Sequence, residues 1–175
     1  MIIGLGYQEG AGQEVVAEML VGRGFTHFSF ATQLDSVLVE GLGLSWGSLT
    51  DEALRTQELA GWNGLTPLDV QARVWSGLRD YVGDQVWINA LLAVPEFREC
   101  VDAGEDVVIS DLRHLNEVFF VNGLGGYVVR VDCPGVGSGR GSDLSGFRNW
   151  DFYLDNSGDL VFLGGQVIRM LQELE

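Results

Sequence analysis

The chain has 175 residues, 46% of them hydrophobic, which suits one domain with a core on both sides of a sheet. Its 25 acidic residues against 10 basic ones give a net charge of −15, and every basic residue is Arg. That balance speaks against gripping a DNA or RNA polymer, no apolar run reaches the roughly 18 residues that span a bilayer, and Cys100 and Cys133 lack both disulfide-scaffold numbers and metal-ligand spacing.

In chain order, residues 2–5 predict a strand, 6–13 a glycine-rich loop, 14–23 a helix and 25–30 a second strand. A mostly helical stretch follows from 31 to about 104. Within it Asp35-Ser36-Val37-Leu38 continues a helix, Gly41 to Gly47 breaks it, and Thr50-Asp51-Glu52 and Thr66-Pro67-Leu68-Asp69 are fresh starts. Then come a strand at 106–110, a helix at 114–122, a strand at 127–132, a mobile Gly/Ser-rich loop at 133–147, and a short strand at 151–155. A last helix at 159–173 is capped by Ser157 or Asp159, with Leu160, Leu163, Val167 and Leu171 on one face. Short apolar runs such as Val107-Val108-Ile109, alternating with helices, imply an α/β fold: a parallel sheet flanked by helices on both sides. The 31–104 stretch is an inserted helical lobe in a single domain, serving either to cover a ligand or as extra core. The start lacks a basic region before its apolar stretch, so no secretory leader is expected.

The opening strand, loop and helix have the layout of a phosphate cradle, in which backbone N–H groups and a helix N-terminus face an anion. Gly6, Gly10 and Gly12 keep the backbone permissive, but Gln13 stands where the usual pattern carries Lys, and Glu14 and Val15 supply no hydroxyl for Mg²⁺. The spacing fits only if the loop is one residue longer, counted from Gly6, since five back from Gly12 is Tyr7. Glu9 and Glu14 add negative charge. The glycines alone favour a plain tight turn.

Other segments carry a resemblance in the same order along nearly the whole chain. Phe30-Ala31-Thr32-Gln33-Leu34 looks like "FADPL", and Gly77-Leu78-Arg79 with Trp87-Ile88-Asn89-Ala90-Leu91 looks like "GR…WVNAL". Val107 to Glu117 is similar to "VVISDVRFPNE", Gly125 to Val131 to "GGxVIRV", and Asp155-Asn156-Ser157-Gly158 to an Asn-x-Gly turn. These motifs resemble the bacteriophage-type deoxynucleoside monophosphate kinases, a P-loop family that makes dNDP from dNMP and ATP. The resemblance implies a P-loop nucleotide-kinase-like fold whose lobe binds the acceptor, with ATP and Mg²⁺ as cofactors if the chain is active and none otherwise. It implies Asp111 and Arg113 as catalytic residues, Gly6, Gly10, Gly12, Gln13 and Glu14 at the donor phosphates, and Arg79, Asn89 and Arg140 at the substrate. No protein-held metal centre is expected.

The departures fall where the family's chemistry sits. The loop lysine is missing, Asp35 replaces a residue that is often basic, and Cys133-Pro134-Gly135 replaces Arg-Pro-Gly. Three cations are gone, and phosphoryl transfer depends on cations that offset oxygen charge. The resemblance therefore implies a dNMP-kinase-like protein of a phage, in the cytoplasm of an infected cell, with phosphotransfer weakened or lost and a dNMP or other small nucleotide as ligand. An active kinase using Arg for Lys, and a non-enzymatic assembly protein that reuses the fold with a protein partner or as a homo-oligomer, are the alternatives. Asp111 has rival roles in pairing with Arg113 or capping the following helix, and Arg113 in pairing with Asp111 or Glu117. His27 is expected to be solvated or hydrogen-bonded, and His114 to pack. Trp46, Trp62, Trp75 and Trp87 are expected in the lobe's core, with base stacking as the alternative. The absence of Lys is expected from compositional drift, with exclusion of taggable amines as the competing account.

Overall fold

The computed structural model describes residues 1–8, 10–136 and 142–174. Five strands form one sheet in the order β2-β3-β1-β4-β5, where β1 is Ile2–Tyr7, β2 Thr26–Phe28, β3 Val107–Leu112, β4 Tyr127–Asp132 and β5 Phe152–Asp155. Every neighbouring pair is parallel. The helices of the same compact unit are α1 (Gln13–Val21), α7 (Pro95–Ala103), α8 (Leu115–Gly123) and α9 (Leu160–Leu174). This is the α/β architecture that alternating short apolar strands and helices dictate.

One face of the sheet offers Ile3, Leu5, Val108, Val129, Val131 and Leu154 to a core shared with α1 and α9. From α1 come Val16, Ala17 and Leu20; from α9 come Leu163, Val167 and Met170. Each such buried Leu or Val contributes about 1.5–3 kcal/mol relative to exposure. Leu160, expected on that face, is 64% exposed, because Asp159 accepts from the Phe162 N–H and leaves Leu160 at the outer start of the helix. Met170 takes a place the spacing did not assign. Elsewhere in this unit, buried Phe28 and Phe97 meet edge-on at 5.1 Å.

β2 is shorter than the expected 25–30. It pairs only with β3, and Phe30 already opens a helix. β3 runs two residues past 110 and carries an irregularity: Gly4 pairs with Ile109 but Gly6 with Leu112, so β3 holds one extra residue over that span. Such a bulge re-aims side chains, and here it falls on Ser110 and Asp111.

Residues 30–93 form a second compact unit, while α7 belongs to the first. This unit contains α2 (Phe30–Ser36), α3 (Trp46–Thr50), α4 (Glu52–Arg55), α5 (Pro67–Tyr81) and α6 (Val86–Leu92), with a π-type turn at Val37–Gly41. Asp51 caps α4 through the Ala53 and Leu54 amides, and Thr66 and Asp69 cap α5 reciprocally. The Trp75 and Trp87 rings stack 4.9 Å apart at 10°, and the Trp87 indole donates to the Trp75 carbonyl.

Candidate functional site at the carboxyl edge of the sheet

A cleft of about 150 Å³ opens where β1 and β3 end, at the edge where parallel α/β sheets hold ligands. Tyr7, Gln8, Gly10, Gln13 and Glu14 line one side, and Ser110, Asp111 and Arg113 the other. The loop glycines have specific causes. At Gly6 a Cβ would sit 2.7 Å from the Leu112 carbonyl oxygen and 3.3 Å from the Trp150 ring. At Gly12, φ is 102° and a Cβ would lie 2.3 Å from the Asn156 amide nitrogen. Tyr7 takes a φ of 111°, a region that costs a non-glycine residue on the order of 1–3 kcal/mol. Packing offsets that cost: the Arg130 guanidinium lies 3.6 Å over the Tyr7 ring, and Trp150 meets it edge-on at 6.4 Å.

Gln13 does not reach into the cleft as a cation would. Its side-chain amide donates to the Gln8 carbonyl, which also accepts from the Ala11 N–H at 3.2 Å. α1 has no side-chain cap at Gly12, so the amides of its first turn are left for solvent or a ligand. Glu14 is tethered sideways: Ser110 Oγ donates to it at 2.7 Å, and His27 Nε2 lies 3.8 Å from its other oxygen. His27 Nε2 is also 2.8 Å from Ser110 Oγ. The serine's one proton goes to Glu14, so His27 serves as the donor in that contact.

Asp111 accepts from Ser29 Oγ at 2.9 Å. At the start of α8 the fully buried Glu117 accepts from the Arg113 and His114 N–H groups at 2.7 and 2.9 Å. The Arg113 carbonyl in turn receives Ser142 Oγ and the Asp143 N–H. His114, expected to pack, lies 3.5 Å from Asp143. Arg130, beside the loop, is committed to Asp132 through Nε and Nη2 at 2.8 Å. Burial alone would lower its pKa, but the hydrogen bonds and charge of Asp132 outweigh burial and raise it, so the guanidinium stays charged.

Gly10, Gln13, Glu14, Asp111 and Arg113 therefore share one cleft, with Gly6 and Gly12 shaping its backbone. Arg79 and Asn89 belong to the second unit. There Arg79 donates to the Asp84 carbonyl just past its own helix, and Asn89 is exposed on α6. In the same unit Gln71 bridges Arg55 to Asp35. Glu9 and Arg140 lie outside the described residues, which hold no cluster of three metal-ligating side chains. Ser110, Tyr7 and Asn156 were missed as site residues. A hydroxyl at a strand end and the Asn-x-Gly turn were the available signals.

No family model matches the chain. It is 29% identical over 190 residues to an Acanthamoeba polyphaga mimivirus protein named "Putative deoxynucleotide monophosphate kinase", spanning 96% of this chain and 94% of that one. A dephospho-CoA kinase from Campylobacter jejuni aligns with a TM-score of 0.58 at 11% identity, over 99% of this chain and 96% of its own. The Thermus thermophilus protein TT1252 aligns with a TM-score of 0.49 at 18% identity, over 100% of this chain and 98% of its own. Along nearly its whole length the chain is thus similar to a viral protein named as a nucleotide kinase, and it shares the fold of a dephospho-CoA kinase.

Proposed function

We propose that the chain is a deoxynucleoside monophosphate kinase-like protein that binds a nucleotide in this cleft and transfers phosphoryl groups weakly or not at all. The observation that carries the reading is Gln13: the residue in the lysine's place is neutral and spent on the Gln8 carbonyl. The donor set does not fit ATP–Mg²⁺. Gln13 brings no charge, Glu14 and Val15 bring no hydroxyl, and Glu14 and Asp111 oppose Arg113, the one guanidinium among the described residues that line the cleft. A mononucleotide phosphate, with fewer charges, makes the smaller demand on a loop that still offers a helix N-terminus. A viral source, as for the relative, would place the protein in the cytoplasm of an infected cell.

The test is to incubate purified protein with each dNMP, ATP and Mg²⁺ and to measure ADP, alongside calorimetry with each nucleotide. Expected are dNMP binding, an ATP–Mg²⁺ dissociation constant weaker than about 1 mM, and turnover far below the ~10 s⁻¹ ordinary for enzymes. Turnover near that ordinary value would restore an active kinase. Absence of heat or thermal shift with every nucleotide would instead favour a non-enzymatic interaction protein.

A further inference from the structure

The turn between β5 and α9 is built as a rigid bracket. Gln166, nearly two turns into α9, accepts from the Asp155 N–H at 2.9 Å and donates to the Asp155 carbonyl at 2.8 Å. Asp155 Oδ1 accepts from the Ser157 N–H, and the Asn156 N–H reaches back to the Asp132 carbonyl at 2.7 Å. From this bracket the Asn156 carboxamide crosses to the glycine-rich loop and donates to the Ala11 carbonyl at 2.9 Å. Its nitrogen fills the space a Cβ on Gly12 would need, so loop and turn interlock at a position where only glycine fits.

The geometry has a directional consequence. Ala11 C=O and Gly12 N–H belong to one planar trans peptide, and so point in opposite directions. Holding the carbonyl towards the turn aims the N–H of Gly12, the N-cap of α1, away from that turn. Ala11 is fully buried, where a carbonyl that loses its partner is left desolvated and unpaired. Gln13 pins the opposite limb of the same loop through Gln8.

We propose that Asn156 is a positioning residue for the phosphate-type loop: it fixes the Ala11–Gly12 peptide so that the first-turn amides of α1 form an anion cradle before any ligand arrives. The phosphate of the nucleotide is the ligand class it serves, and that part rests on the reading of the cleft given above. Asn156 touches the loop and need not touch the ligand.

The experiment compares wild type with Asn156→Ala and with Asn156→Asp, whose carboxylate cannot donate to the Ala11 carbonyl. Amide hydrogen exchange is measured along the whole ligand-free chain, and inorganic phosphate and each dNMP are titrated. In both variants, exchange at residues 10–13 should quicken roughly tenfold, the equivalent of one lost hydrogen bond, with the other strands and helices unchanged. Phosphate affinity should fall by a similar factor. Unchanged exchange at 10–13 in both variants overturns the proposal, as does a rise spread evenly over the chain, which marks general destabilisation. If wild type binds neither phosphate nor any dNMP while exchange at 10–13 still responds, the nucleotide reading fails and the positioning role stands.

Discussion

At position 13 a single side chain separates a phosphate cradle from a self-closed loop. Lysine there would project a charge, whereas glutamine can only donate to the nearby Gln8 carbonyl, as it does. Gln13→Lys should therefore raise phosphate affinity at least ~10-fold, about 1.4 kcal/mol, read by calorimetry at low salt. No gain would mean that Glu14 and Asp111 govern the cleft's field. The cysteines give a second residue-scale outcome. Cys100 is 7% exposed and burial pushes its thiol pKa up, while Cys133 is half-buried beside Pro134. A thiol reagent at neutral pH should label Cys133 quickly and Cys100 only on unfolding; equal rates would contradict this packing. Gln13 stood out from its place after Gly12 in the loop spacing, and the resemblance over Val107–Glu117 pointed to Asp111 and Arg113, which line the same cleft. Asn156 was not, since its role depends on a carbonyl 145 positions away in the chain, and no local periodicity encodes that meeting. Tyr7 was visible only as an intruder in the spacing. Its positive φ and the guanidinium over its ring emerge from tertiary packing.

Among elements, α5 has the cap most clearly announced by sequence, and its chemistry sets a pH dependence. The backbone and hydroxyl of Thr66 hydrogen-bond to Asp69, hold its pKa below the ordinary 3.8, and Arg73 assists. A carboxyl depressed in the folded state stabilises above its unfolded pKa and loses that contribution as pH falls through the folded value. The first turn of α5 should thus fray below about pH 3.8, seen as faster amide exchange at 67–70 in acid. In Asp69→Asn the turn should lack this acid step; an unchanged step would assign the titration elsewhere. The strands were readable to within two residues because buried apolar runs have few alternatives. The bulge in β3 was not, because Ile109-Ser110-Asp111-Leu112 contains no Gly or Pro to mark it. That extra residue nonetheless delivers Ser110 to Glu14 and Asp111 to Ser29.

For the whole molecule the dominant quantity is a charge of −15. Self-repulsion of this size destabilises the compact state, and salt screens it over a Debye length that falls from about 30 Å at 0.01 M to about 3 Å at 1 M. Raising NaCl from low salt to ~0.5 M should increase Tm by about 3 °C, the scale of ~1 kcal/mol for a chain this long. A fall in Tm would show that attractive ion pairs outweigh the repulsion. The α/β class and the inserted helical segment followed from strand and helix order. The near edge, read at 31, lies one residue from the division at 29/30, but the far one at 93/94 was not legible, since helix start signals mark elements and say nothing about which elements cluster.

Four of the five tryptophans lie within residues 30–93, and the fifth, Trp150, rests against Gly6 and edge-on to Tyr7, which lines the cleft. The molecule thus carries its own optical reporter. Replacing Trp46, Trp62, Trp75 and Trp87 by Phe would leave one 6%-exposed indole whose emission reads its contacts with Tyr7 and Phe147. A phosphate or nucleotide that reshapes Tyr7 should then shift or quench that emission in a saturable titration, without label, coupling enzyme or turnover. A ligand that settles elsewhere leaves the spectrum still.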